Sequence, residues 1–176
     1  MIFLSIDASS KVTGWAIFEA EDQEESKLLA FGEIHLEKFK KKSAPLEYMK
    51  VLYNEISKIV LDYKPEVCYI EDIYAFNILT YKSLSKIRGI VEISCLNFGV
   101  KEIYALTSSF IRKTILGQGK IGKAEICTIL EIRLGIPIAT VGYDASDAIL
   151  VGLCGVKIYD YGKTTNTIKR RRRNAQ

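Results

Sequence analysis

At 176 residues the chain has the length of one ordinary domain, enough to bury about 70% of its unfolded surface. Hydrophobic residues make up 48% and charged residues 26%, and no run approaches the ~18 consecutive apolar residues that span a bilayer, which argues against membrane insertion. The formal charge of +4 is concentrated in the tail KRRRR: removing these five of the 25 basic residues leaves 20 against 21 acidic ones, a net of −1.

The start, MIFLSIDASS, lacks the basic leader of a signal peptide and is predicted to be the first strand, so a cytosolic protein is expected. Residues 2–7, 12–19 and 27–36 are β-favouring runs broken by turn-prone or charged segments, the pattern of a three-stranded antiparallel meander. Leu46, Met49, Tyr53, Ile56, Val60 and Tyr63 then recur at helical spacing, with Pro45 near the helix start.

PEVCYIED reads as a strand buried on both faces. Residues 78–98 are predicted helical and VKEIYAL a further strand. TSSFIRKTILG is a helix capped by Thr107 or Ser108 and stopped by Gly117. Two more helices, about 122–134 and 144–156, close the order. Three strands, then alternating helix and strand, then helices imply an α/β layer fold with a mixed central sheet covered by helices on both faces. The expected organisation is one domain over 1–160 and a basic tail over 161–176.

Cys68, Cys95, Cys127 and Cys154 are widely spaced, sit beside apolar neighbours, and lie far from His35, the single histidine. Reduced core thiols are expected rather than a zinc site or a disulfide framework.

The chemistry-bearing pattern is acidic. Asp7 ends the first predicted strand, Glu71 ends the fourth, and Asp144 and Asp147 open the last helix at i, i+3 spacing on one helical face. Carboxyl ends of neighbouring central strands project into one crevice, where open α/β sheets place their sites. Like charges there raise one another's pKa or require a counter-cation, and hard oxygen ligands favour Mg²⁺ or Mn²⁺. A pair of such ions ~4 Å apart activates a water and stabilises the leaving oxygen of a phosphodiester.

Taken singly, several of these acids have structural readings. Asp7 could close a turn, Asp144 could be a helix N-cap, and Asp72 beside Glu71 is compatible with a strand surfacing. Asp147 is the most informative, because it stands one turn inside a predicted helix whose continuation, AILVGLCGV, is almost entirely apolar, and a buried acid there costs several kcal/mol unless paired or metal-bound.

With these residues in view, FLSIDASSKVTGWAIFE, PEVCYIEDIYA, LSKIRGIVE, SSFIRKTILGQGKIGKAEI and YDASDAILVG together resemble the RuvC-type Holliday-junction resolvases, over roughly residues 2–155. The resemblance implies a ribonuclease H-like fold, with Asp7, Glu71, Asp144 and Asp147 as catalytic, metal-holding acids. Mg²⁺ dependence with Mn²⁺ substituting follows from the oxygen donors, and the resemblance implies a homodimer that cuts four-way junctions, and other branched DNA, by paired symmetric incisions. Arg112 and Lys123, with Lys113 and Lys120 beside them, would contact the DNA backbone. Tyr74 or, in competition, Phe76 would wedge into the junction by stacking on a base.

The tail residues Lys169, Arg170, Arg171, Arg172 and Arg173 would add sequence-independent affinity for phosphates. The sequence departs from the usual Asp-Pro-Gly of bacterial members, reading DAS at the first acid, and a divergent viral or mobile-element member would fit.

Three rival readings are weaker. A nuclease for RNA·DNA hybrids would have to read 2′-hydroxyls, and no segment identifies such a reader. A sugar-kinase-like phosphotransferase needs a second domain and glycine-rich nucleotide loops, and GQGKIGK lacks the phosphate-loop pattern, so no nucleotide cofactor is expected. A noncatalytic DNA-binding module gains little from concentrating acids against an anionic backbone.

Overall fold

The computed structural model describes residues 1–40, 46–74, 77–118, 121–135, 137 and 142–159. Pro45, Phe76, Lys120 and the tail, with Lys169, Arg170, Arg171, Arg172 and Arg173, lie outside the described residues.

The predicted meander forms. Strands β1 (Ile2–Asp7), β2 (Val12–Ala20) and β3 (Ser26–His35) pair antiparallel in sequence order, with a register irregularity in β2 between Ile17 and Phe18. Helix α1 (Glu47–Tyr63) then carries the chain to β4 (Val67–Glu71), which lies parallel to β1. Helix α2 (Ile78–Asn97) carries it to β5 (Glu102–Leu106), parallel to β4. The sheet order is β3-β2-β1-β4-β5. It is mixed because the meander needs only tight turns, whereas each parallel pair needs a helical crossover.

Helices α3 (Ser108–Leu116), α4 (Lys123–Leu134) and α5 (Tyr143–Ile158) complete the chain order. The α3 boundaries follow the sequence signals: the Thr107 hydroxyl accepts from the Phe110 N–H, and Gly117 stops the helix with φ +74°.

The two-residue periodicity of the central strands sorts the core into two layers. Leu4, Ile6, Ile17, Cys68 and Ile70 face α1 and α2, packing with Leu52, Ile56, Ile87, Val91 and Cys95. Phe3, Ala16, Phe18, Val67 and Tyr69 face the opposite way, against Ile149, Leu150 and Val151 of α5, with Ile111 of α3 and Ile126 and Leu130 of α4 beyond.

Helix α5 is thus pressed between sheet and helices, and every residue from 145 to 156 is buried. That accounts for its nearly unbroken apolar sequence. All four cysteines are buried free thiols, as expected from their apolar surroundings. Among the described residues no helix is long and apolar enough to cross a membrane.

Candidate active site

Asp7 and Glu71 terminate β1 and β4, which run parallel and adjacent. Alternation puts both on the α5 face: Asp7 follows Phe3 and Ser5, and Glu71 follows Val67 and Tyr69. The first turn of α5 comes down on the same face and delivers Asp144 and the buried Asp147. All four predicted acids are therefore gathered at one end of one face of the sheet.

Two residues from the meander make this approach possible. Gly14 is the cross-strand partner of Asp7, and Glu33 is the partner of Gly14, so Asp7, Gly14 and Glu33 form one row across three strands. A Cβ on Gly14 would lie 1.9 Å from the Asp144 carbonyl oxygen, so only glycine lets α5 seat here.

Glu33 then closes the helix start. Its Oε1 accepts from the N–H groups of Asp144 (3.2 Å) and Ala145 (3.3 Å), while its Oε2 lies 3.4 Å from His35 Nε2. The N-cap position belongs to Gly142, and the capping oxygen comes from a distant strand. The alternative role of Asp144 as the cap is thereby corrected: it sits inside the first turn, with its backbone N–H already held.

The acids feel one another. Burial, with the charges of Glu71, Asp147 and Asp144 added and that of Lys123 opposing, pushes the Asp7 carboxyl up to about 8. Burial chiefly raises Glu71 as well; Asp147 adds to this, while a hydrogen bond from Ser108 and the charges of Arg112 and Lys123 oppose it. Asp144 is raised by burial, against the pull of Lys123, with Glu33 and Asp147 contributing upward.

Lys123, at the start of α4, answers part of this charge: its Nζ lies 2.8 Å from Asp147 Oδ2. Desolvation works against the ammonium, yet its pairing with Asp147 and the fields of Asp144 and Asp7 raise its pKa. Among the described residues no three His, Cys, Asp or Glu side chains close tightly enough as they stand to hold an ion. The donor chemistry nevertheless fits a hard divalent cation: all-oxygen, mutually repelling, and partly buried.

Asp72 does not belong to the cluster. Its Oδ1 is 2.6 Å from Arg88 Nη1, and Arg88 Nε in turn is 2.8 Å from Glu92 Oε1, so α2 holds Asp72 on the far side of the strand end. Arg112 is brought to the site, close enough to Glu71 to lower its pKa, and donates to the Ile121 carbonyl at 3.4 Å. Lys113 is exposed on the last turn of α3. Tyr74, three residues past the end of β4, is 78% exposed.

Sequence reasoning missed Glu33, His35, Gly14 and Ser108. The turn between β1 and β2 sets Asp7 opposite Gly14, but the irregularity between Ile17 and Phe18 shifts the β2–β3 pairing by one residue, so counting along the sequence from the β2–β3 turn would place Gly32, not Glu33, in that row.

A mixed five-stranded sheet of this order, with helices on both faces, is the α/β fold of the ribonuclease H-like type. The model of the family described as crossover junction endodeoxyribonuclease RuvC matches residues 3–155, and the chain belongs to that family.

Among relatives, it is similar to the crossover junction endodeoxyribonuclease RuvC of Caldicellulosiruptor saccharolyticus, at 29% identity over 157 residues, covering 89% of this chain and 92% of the relative. The Trichlorobacter lovleyi protein of the same description is 27% identical over 160 residues, covering 90% and 86%. Among solved structures, the Thermus thermophilus RuvC in complex with Holliday junction substrate superposes with a TM-score of 0.75 at 17% identity, covering 88% of this chain and 92% of that one.

Proposed function

We propose that this protein is a divalent-metal-dependent endonuclease that resolves Holliday junctions by paired symmetric incisions. The observation that carries the reading is the gathering of Asp7, Glu71, Asp144 and Asp147 on one face of a RuvC-family fold. These four acids would hold Mg²⁺, with Mn²⁺ able to substitute. When bound, such ions supply an activated water and neutralise charge developing on the phosphodiester oxygens.

The chain's own residues supply the rest. The acids would orient the attacking side, and one of them would act as a base toward the water. Lys123, which pairs with Asp147, and Arg112, beside Glu71, would contact the scissile backbone. Lys113 and Lys120 flank them on the same chain segment. Tyr74, exposed just beyond the second acid, stacks on a base at the junction centre, with Phe76 as its competitor. The basic tail 161–176, with Lys169, Arg170, Arg171, Arg172 and Arg173, adds nonselective backbone affinity to the 1–160 domain.

Two cuts need two sites, so the reading includes a homodimer matched to a two-fold substrate. The exposed apolar side chains of Ile78, Leu79, Tyr81, Ile93 and Leu96 along α2 support it, since a second copy would cover them. A cytosolic location is part of the same reading and is supported by the four free thiols.

The test is cleavage of an end-labelled four-way junction in Mg²⁺, beside linear duplex, a Y-fork and an RNA·DNA hybrid, with Asp7→Asn as the control. Paired symmetric nicks confined to the junction, lost in Asp7→Asn with binding retained, are expected. Equal cutting of fork and junction would replace the reading by a general debranching nuclease, and cutting of the hybrid alone would overturn it.

A further inference from the structure

The structure assigns Glu33 as the positioning residue for the metal-holding end of α5, an inference that rests on the proposed role of Asp144 and Asp147. Glu33 is not a ligand candidate by its geometry, because its Oε1 is committed to two backbone amides, those of Asp144 and Ala145. It acts through the helix.

Three observations converge on this role. First, the start of α5 has no cap of its own: Gly142 has no side chain, and no hydrogen bond from the N-cap position satisfies the exposed amides. The carboxylate of Glu33 is what satisfies them, and a negative group there also complements the positive end of the helix.

Second, the seat leaves Glu33 little freedom. Its side chain is only 10% exposed, its second oxygen faces His35, and a Cβ on Gly142 would come within 2.1 Å of its Oε1. Gly142 also has φ +115°, a conformation that suits glycine. Third, Glu33 shares a cross-strand row with Asp7 through Gly14, so the strand that presents the first acid and the oxygen that fixes the third and fourth belong to one rigid register. Losing the clamp frees the first turn of α5 to shift relative to β1, and the acids then no longer converge.

The experiment is calorimetric titration of the full chain with Mn²⁺ alone, together with the Mg²⁺ concentration giving half-maximal junction cleavage. Glu33→Ala is expected to weaken Mn²⁺ binding and to raise the Mg²⁺ requirement by about 10-fold or more, the range typical of removing a residue that orients ligands. Glu33→Gln, which keeps an oxygen able to accept from both amides, is expected to remain within about 3-fold of wild type. Junction affinity in metal-free buffer should be unchanged in both variants, which separates positioning from a general loss of structure.

Glu33→Ala with wild-type Mn²⁺ affinity overturns the inference. Should that variant fail to fold, Glu33→Asp carries the test, because it keeps the charge and shortens the reach: weaker Mn²⁺ binding than in Glu33→Gln supports positioning, and equal binding refutes it. Asp144→Asn distinguishes the two levels of argument. If it binds Mn²⁺ as wild type does, the acid-cluster reading itself fails; if it loses binding while Glu33→Ala does not, only the positioning role of Glu33 is lost.

Discussion

The Lys123 ammonium lies 2.8 Å from the Asp147 carboxylate and is the cation that most directly answers a cluster of four acids. Asp147 is nearly buried whereas Lys123 is half exposed, so the pair anchors the start of α4 against the start of α5 at the rim of the crevice. This makes Lys123 and a bound divalent cation partly redundant. Lys123→Ala is expected to destabilise the metal-free protein by about 1–2 kcal/mol and to cost less when Mg²⁺ is present. Urea unfolding in EDTA and in Mg²⁺ measures both; equal losses would show that the lysine and the metal do not share the same charge.

Thermal stability of the metal-free protein should fall as pH rises from about 4 to about 8. In that window native Asp7, whose carboxyl burial and neighbouring acids have pushed up to about 8, still holds a proton that the unfolded chain has released. Below the window both states are protonated, and above it both are charged, so the slope is confined to it. Asp7→Asn should flatten this slope, and Mg²⁺ should flatten it too by favouring the ionised cluster. Melting temperatures across this range in EDTA, with and without the substitution, decide the matter; a slope unchanged by Asp7→Asn would assign it to other groups.

Gly14→Ala should disable the site without touching any acid. Its Cβ would meet the backbone carbonyl of Asp144, which has no flexible end to swing aside, so α5 must move or β2 must bend. Overpacking of this kind costs about 1–3 kcal/mol. The expected result is a lowered melting temperature together with loss of junction cleavage that is out of proportion to the fraction unfolded. Full cleavage by the folded fraction would show that the seat of α5 tolerates displacement.

Tyr74→Ala should reduce junction cleavage while leaving duplex affinity nearly unchanged. The side chain is exposed just past the second acid, and loss of a stacked base is worth about 1–3 kcal/mol, or roughly 5- to 150-fold. Single-turnover cleavage beside a duplex-binding titration separates the effects, and an equal loss in both would remove the wedge role from Tyr74.

Much of this arrangement is legible in the sequence because burial writes a simple pattern. A strand covered on both faces reads as an unbroken apolar run; β4 does so up to its terminal acid, and β1 does so apart from buried Ser5, whose hydroxyl donates to the Ala16 carbonyl. Asp147 stands out because the stretch that follows it, residues 148–156, is almost entirely apolar and buried.

Glu33 shows why the rest was not legible. Within β3 it is one polar residue in an edge strand that is only partly buried, where a charge attracts no notice. Its meaning depends on pairing register, and a one-residue slip would point it to the opposite face. Asp72 makes the converse point: it too is a carboxylate, adjacent to Glu71, and the direction of its side chain, held by Arg88, keeps it out of the cluster.

The site is assembled from residues 7, 71, 144 and 147, so its parts are made at opposite ends of translation. The helix that brings the final two acids is the last described element in chain order, and its docking needs the whole meander in place beneath it. A chain still emerging from the ribosome, or cut short before residue 143, therefore carries half of the acid cluster and no means of closing it. On the proposed reading, such a partial chain lacks two of the four metal-holding acids and is expected not to cleave DNA.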